Sequence, residues 1–395
     1  MTFGNVNKDV PVRETFTGKT TCKVCHVISG YYRNDPRIYQ RQAKSLRDAG
    51  YQVSILSNDG LPNEVVEGIS FFSCRRIIAS RLSVLFFATW QFLPESIEID
   101  ADIYQIHAPE LLPLGLYLKW RGKSVIYDAH EDLPNHILEK EWVPRILRYP
   151  LSRLIHNVIQ FAVSRFDAVV TPHNHVAESL GLVNPRTVAI CNFAKLLEKE
   201  ADELVDFQER KPIVCYSGTV YAHSNQLSTL SAIENIEGVE YHIAGYISAE
   251  IEDELKRHPA YKKFRFLGRL PWEELRQFYD SAVVGLVVIG YTRNLGGHRG
   301  TFAVNKFFEY MEAGIPVICT NYDLWNDIIE EYECGISVEP GNTEQLSSAI
   351  RLLIENRDIA LRMGCNGRRA VRERFNWSVE EQKYLKVFNS LFEMP

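Results

Sequence analysis

At 395 residues, with 46% hydrophobic and 24% charged side chains, the chain has room for two domains with full cores and the make-up of an ordinary soluble protein. A formal net charge of -6 excludes the strong basic excess of a dedicated nucleic-acid binder, so no nucleic-acid partner is expected. No apolar run reaches the roughly 20 residues of a membrane span.

Residues 1–20 are polar and charged without an apolar core, so they read as a disordered lead-in, not a secretory signal. Cys22–Ile28 is then a short apolar strand, Ser29–Pro36 a polar loop, Arg37–Ala49 a helix stopped by Gly50, and Tyr51–Ser57 a second strand. This βαβ unit predicts a parallel sheet. Strands follow at Gly68–Phe72, Asp102–Ile106, Ser124–Asp128, Asp167–Thr171 and Thr187–Ile190. Helices fall at Leu82–Leu93, Glu110–Trp120, Leu138–Ser164 with interruptions near Pro144 and Pro150, and His175–Leu180. Leu196–Arg210 is charge-dense and poor in β-branched residues, and reads as a linker.

A second alternating series starts at Pro212. Its strands are Ile213–Ser217, Val239–Ala244, Phe264–Leu267, Val283–Val288, Ile315–Thr320 and Gly335–Val338. Its helices lie near Gln226–Asn235, Ala249–Arg257, Glu273–Tyr279, Val304–Ala313, Leu324–Glu331 and Thr343–Asn356. The closing stretch Arg362–Phe392 is helical in pattern, broken at Asn376-Trp377-Ser378, where Ser378 and Glu381 have capping-box spacing. The expected fold class is α/β, with two Rossmann-like doubly wound domains at 21–195 and 211–375. Residues 376–395 are expected to form a closing helix on the first domain. Ligands of such sheets sit at the carboxyl ends of the strands, so two facing domains predict an interdomain cleft.

The eight cysteines are scattered, several inside expected buried strands, as reduced cytosolic thiols are. Cys22-Lys-Val-Cys25 has redox spacing but lies in a strand. Gly18-Lys19-Thr20 lacks the earlier glycine of a P-loop, and no Gly-x-Gly-x-x-Gly follows the first strand. Asp100-Ala-Asp102 has a metal-like spacing but sits where two acids start a turn. No His/Cys cluster has zinc spacing, and no metal is expected.

The stretch Arg299–Thr320 carries the chemistry. A polar loop feeds a helix N-terminus, which aims backbone N–H groups at an anion. Phe307, Phe308 and Met311 recur at helical spacing and should face the sheet. Lys306 and Glu309 are neighbours on one turn, suited to a ligand with phosphate and hydroxyls. The same spacing also fits a solvated surface pair. Tyr127-Asp128-Ala-His130-Glu131-Asp132 follows a strand directly, and puts an imidazole among three carboxylates that would favour its protonation. His107 ends the preceding strand and is a second candidate wall residue. Asn34-Asp35-Pro36-Arg37 opens the first helix, with Arg37 placed to grip an anion bidentately. Gly268, after Phe266-Leu267, allows close backbone approach to a flat ligand. Ser217-Gly218-Thr219 forms a small loop beside phosphates.

Taken together, these residues resemble the retaining GT-B glycosyltransferases of family four, over about Cys22 to Leu391. The landmarks are Asn34-Asp-Pro-Arg37, Tyr127-Asp-Ala-His-Glu131, Phe266-Leu-Gly-Arg-Leu270, Asn305-Lys-Phe-Phe-Glu-Tyr-Met311 and Ala313-Gly-Ile-Pro316, with Trp377 beginning the closing helix. The resemblance implies a UDP- or GDP-linked sugar donor held by the second domain. Glu309 would bind the ribose. The backbone of Val304, Asn305, Lys306 and Phe307 would hold the diphosphate, with Lys306 neutralising it. Gly268, Arg269 and Leu270 would contact the base, and His130 the transferred sugar. Glu131 joins Arg37 and His107 on the cleft wall. No metal or other cofactor would be needed, because cations and helix dipoles stabilise the leaving diphosphate.

Two positions depart from that family. Thr301 stands where a sugar-contacting Glu is usual, and Tyr221-Ala-His223-Ser-Asn225 lacks the usual Arg and Lys. Lys306, His298 and Arg299 are the candidates to supply the missing charge. The resemblance implies a cytoplasmic transferase acting with retention on a glycan or lipid-linked acceptor. Arg145, Arg148 and Arg153 among Ile146, Leu147, Leu151 and Leu154 suit peripheral contact at the inner membrane face, or a helix packed on its own sheet. A nucleotide-sugar epimerase of the same fold and a catalytically silent sugar-nucleotide or glycan-binding subunit are the alternatives.

Overall fold

Short β-branched and aromatic runs alternate with amphipathic helices, and in the computed structural model they assemble into two parallel sheets. The structure describes residues 21–74, 81–140, 142–196 and 207–392, without the side chains of 81–87 and 222. The expected lead-in 1–20, with Gly18-Lys19-Thr20, and most of the linker lie outside the described residues.

The first domain runs β1 (Lys23–Val27), a π-helical turn (Ile38–Ala43) continuing as α1 (Lys44–Asp48), β2 (Gln52–Ser57), β3 (Glu64–Val66), β4 (Ile69–Ser73) and α2 (Arg81–Ile99). It goes on through β5 (Ile103–Ile106), α3 (Leu112–Trp120), β6 (Ser124–Asp128), α4 (Leu133–Glu139), α5 (Arg145–Val163), β7 (Ala168–Thr171), α6 (Asn174–Gly181) and β8 (Thr187–Ala189). Among the described residues the strand order is β3-β4-β2-β1-β5-β6-β7-β8, parallel except for the β3–β4 pair.

The second domain runs β9 (Ile213–Thr219), α7 (Gln226–Ile233), β10 (Glu240–Tyr246), α8 (Ala249–Lys256), β11 (Phe264–Phe266), α9 (Trp272–Ser281) and β12 (Val284–Val287). Then come α10 (Asn305–Glu312), β13 (Val317–Thr320), α11 (Asp323–Tyr332), β14 (Gly335–Val338), α12 (Thr343–Glu355) and α13 (Arg357–Glu373). Its order, β11-β10-β9-β12-β13-β14, is parallel throughout. The strand order reverses beside β1 in one sheet and β9 in the other, and at such switch points the strand ends open a crevice.

The last helix, α14 (Trp377–Phe392), lies on the first domain. Trp377, Tyr384, Val387, Phe388 and Leu391 share a core with Val24, Ile38 and Leu46. Its N-terminus is capped by Asn376, whose Oδ1 accepts from Val379 N at 3.3 Å, not by Ser378. Glu381 instead accepts from the Ser45 hydroxyl.

Local chemistry explains other departures. Pro150 sits inside α5, not at a break, and is exposed one turn in, where water can satisfy the carbonyl it leaves unpaired. The segment expected as one regular helix from Arg37 opens as a π-turn, with Gln42 N bonded to Arg37 O at 3.0 Å. That wider turn buries Arg37, Arg41 and Gln42 together, and π-turns are often found at functional sites.

Candidate active site

In the first domain, β1, β5 and β6 lie side by side, so the residues at their carboxyl ends converge. His26 Nδ1 is 2.9 Å from His107 Nε2, and His107 Nδ1 is 3.0 Å from His130 Nε2. Asp128 lies beside them, its Oδ2 3.4 Å from both His107 Nδ1 and His130 Nε2. It accepts from Arg37 Nε at 3.1 Å and Nη2 at 2.9 Å, from Gln42 at 2.7 Å and from Gln105 at 3.2 Å. Burial alone would raise the Asp128 carboxyl, but the Arg37 charge beside it holds it well below the usual carboxylate range. Burial pushes His107 down to about 4 despite Asp128, and pushes His26 well below the usual imidazole range.

Three expectations are corrected here. Arg37 does not face the cleft as a free anion clamp: its remaining Nη1 donates to Ile190 O and Asn192 Oδ1, both at 2.7 Å. His107 is no wall residue but lies buried behind His130. His130 does not sit among three carboxylates. Only Asp128 is close, because Glu131 pairs with His136 at 2.7 Å and Asp132 caps α4 through Asn135 N at 3.2 Å. His107, Asp128 and His130 are side chains of the kinds a cation takes, within 4.8 Å of one another. Here their atoms are engaged with each other and with Arg37.

In the second domain the ends of β9, β10 and β11 meet through glycines. Gly218 has φ +112 and Gly245 φ +148, and a Cβ on Gly245 would stand 2.0 Å from Gly218 O, so only glycine fits. Gly245 N donates to Gly268 O at 2.7 Å. The N-cap of α10, Val304, is extended and supplies no side-chain cap, which leaves the N–H groups of Asn305 and Lys306 open, while Phe307 N donates to Val304 O at 3.3 Å. Half-buried Lys306 holds its Nζ 3.8 Å from the Tyr216 ring centroid and 3.4 Å from where a Cβ of Gly218 would stand. No carboxylate pairs with it among the described residues.

Glu309 does not pair with Lys306. It is buried one turn further along α10, where Tyr279 Oη donates to Oε2 at 3.1 Å and Arg41 Nη2 stands 3.6 Å from Oε1. It lines a small cavity with Lys195, Trp272, Arg276 and Tyr279. Thr219 closes β9 at the same end, its carbonyl accepting from Tyr216 Oη at 3.0 Å. Exposed Arg269 lies 4.8 Å from the Tyr32 ring centroid, in the other domain. Leu270 is half-buried and packs on the second core.

The two walls are tied together. Thr301 Oγ1 meets His173 Nδ1 at 3.1 Å, and His173 Nε2 reaches His130 O at 3.0 Å. Asn192 Nδ2 donates to Ala303 O at 2.9 Å, and Asp132 N to Asn294 Oδ1 at 3.0 Å. Arg299 is already paired: both its terminal nitrogens grip Glu178 on α6 at 2.8 Å, in solvent. Burial, then neighbouring His175, pushes His173 down to about 4, so it bridges the walls as a neutral ring. Sequence reasoning missed His26, Arg41, His173 and Asn192. His173 carried the same signal as His107 and His130, a polar residue just past a strand end.

The family model for glycosyl transferases group 1 matches residues 198–370, and that for glycosyltransferase family 4 matches 37–193. A phosphatidyl-myo-inositol mannosyltransferase of Mycobacterium leprae is 30% identical over 98 residues, 25% of each chain. An uncharacterized glycosyltransferase of Methanocaldococcus jannaschii is 23% identical over 94 residues, 24% of each, so the matched segments span about a quarter of these relatives. Sucrose-phosphate synthase from Thermosynechococcus elongatus superposes with a TM-score of 0.72 at 17% identity, over 94% of this chain and 99% of that one. HepE from Anabaena, solved with UDP and glucose, gives 0.68 at 12% identity, over 93% and 100%. Matched in both halves and built on two facing parallel-sheet domains, the chain belongs to the group 1 glycosyltransferases of GT-B fold.

Proposed function

We propose that this glycosyltransferase takes a hexose or related sugar from a UDP- or GDP-linked donor and passes it, with retention at the anomeric carbon, to a glycan or lipid-linked acceptor in surface polysaccharide or glycoconjugate synthesis. The observation that carries the donor reading is the cradle at α10. It combines a helix N-terminus without a side-chain cap, a Lys306 with no acidic partner among the described residues, and a Gly218 without a side chain to block approach. A diphosphate supplies the charge that this cradle lacks. Glu309, one turn on, serves the ribose hydroxyls, and His130 meets the transferred sugar. The leaving diphosphate takes the acceptor proton, so neither a metal nor a separate base is required. HepE, which was solved with UDP-glucose, supports a nucleotide-sugar donor by analogy of fold alone.

On this reading the reaction takes place in the cytoplasm, at the inner face of the membrane. No helix of the described residues is long and apolar enough to cross one. Helix α5, for which the sequence slightly favoured packing on its own sheet, leaves Ile146, Leu147, Leu154, Val158 and Phe161 exposed. Residues 142–166 contain Arg145, Arg148, Arg153 and Arg165 and no acid. A basic, apolar face of this kind suits the surface of an anionic bilayer.

Thermal-shift titration with a panel of nucleotide sugars, followed by turnover with the donor that binds, tests the reading. Lys306→Ala should lose about 2–4 kcal/mol of transition-state stabilisation, the cost of losing one preorganised donor. Glu309→Ala should abolish donor binding with the fold intact. Donor affinity and rate unchanged in both would overturn the assignment.

A further inference from the structure

His26, His107 and His130 form an unbroken chain of imidazoles across three adjacent strand ends, with nitrogens 2.9 and 3.0 Å apart. Each link needs one N–H and one lone pair. Neutral rings therefore allow two arrangements of the whole chain. Either every ring is protonated on Nδ1 and the donors point outward, or every ring is protonated on Nε2 and they point inward.

The inner end decides between them. His26 Nε2 is buried with no partner. With outward donors that atom is a bare lone pair, and with inward donors it is an orphaned N–H. Buried N–H groups without partners are the rarer of the two. At the outer end, His130 Nε2 is taken by His107, so Nδ1 is the nitrogen left for a ligand.

We infer that His107, backed by His26 and braced by Asp128, is a positioning residue that fixes the His130 ring and makes its Nδ1 a hydrogen-bond donor toward the cleft. His107 Nδ1–H donates to His130 Nε2, and His26 Nδ1–H donates to His107 Nε2. His130 cannot then turn over to offer a lone pair without every proton in the chain moving. Asp128 Oδ2, 3.4 Å from both outer rings, favours an N–H in the gap between them, and its hold on Arg37, Gln42 and Gln105 keeps it in place. The consequence for catalysis rests on the reading that His130 meets the donor, where an outward N–H suits a sugar hydroxyl or phosphate oxygen.

The test is a long-range proton–nitrogen correlation spectrum of the full chain with labelled histidines at neutral pH. All three rings should show protonation on Nδ1, and Nε2 protonation at His130 would overturn the proposal. In parallel, His107→Phe should lower kcat roughly ten- to hundredfold, the range for losing a partner that orients a ligating ring. His107→Asn, whose amide N–H stands near the original Nδ1, should recover much of that loss. In a His130→Ala background His107→Phe should cost nothing further. An equal cost there would reduce His107 to a packing residue. If His130→Ala alone leaves turnover unchanged, the donor-site reading of His130 falls, and the spectrum still decides the proton direction.

Discussion

Arg37→Met tests the buried charge pair on which the first wall is built. Arg37 and Asp128 are both almost wholly buried, and the guanidinium supplies two of the bonds that the carboxylate accepts. Methionine keeps much of the volume but leaves Asp128 with only the uncharged donors Gln42 and Gln105 and the neighbouring His107 N–H. Ile190 O and Asn192 Oδ1 lose their donor in the same step. Stripping one partner from a buried pair costs about 3–5 kcal/mol. With a slope of roughly 4 kcal/mol/M for a domain of this size, the guanidinium chloride midpoint of the first domain should fall by about 1 M. Adding Asp128→Asn should return much of the loss, because it removes the uncompensated charge. Equilibrium unfolding by tryptophan fluorescence measures all three proteins. A midpoint for Arg37→Met within about 0.2 M of the parent, or a double variant no better than the single one, would refute the pairing as the wall's support.

Acid should destabilise the protein before its carboxylates titrate. His107 and His173 are both held near 4 in the fold, against 6.5 when exposed, so between those values only the unfolded state takes up their protons. Their contribution is whole above pH 6.5 and fades as pH falls toward 4, the loss amounting to roughly 2–3 kcal/mol each by pH 4.5. Unfolding curves at pH 7 and pH 4.5 that coincide would contradict it. On α5, Leu154→Asp should abolish co-sedimentation with vesicles containing anionic lipid while leaving the melting temperature unchanged, since Leu154 is 59% exposed. Binding that survives the substitution would move the membrane surface elsewhere.

The fold was legible because its signals are local. Buried parallel strands read as short apolar runs, and Gly50 ends the first helix where the chain turns back. Strand β3 was missed because Glu64–Val66 is exposed throughout and has no apolar run to betray it. In the site, Lys306, Glu309 and His130 stood out by position in their elements. What could not be read was which polar residues already had partners. Arg37 meets Asp128 across 91 residues, Arg299 meets Glu178 across 121, and Thr301 meets His173 across 128. Spacing along the chain carries no information at those separations.

That matching of partners changes what the cations mean. Of the positive side chains considered for the donor, Arg37 belongs to Asp128 and Arg299 to Glu178. Arg41, which the sequence did not single out, leans toward Glu309. Lys306 alone of these four has no acidic partner among the described residues, and that is why the proposed donor reading rests on it. The same logic bears on Thr301. A carboxylate at that position would stand beside His173 and favour a proton on a ring that burial keeps neutral. The hydroxyl makes a neutral bond instead, and leaves His173 free to use its other nitrogen on His130 O. Thr301 and His173 therefore have to be understood as one unit, a neutral hinge pin between the two walls. Restoring a glutamate at 301 would alter the charge on that bridge as well as the contacts to a sugar.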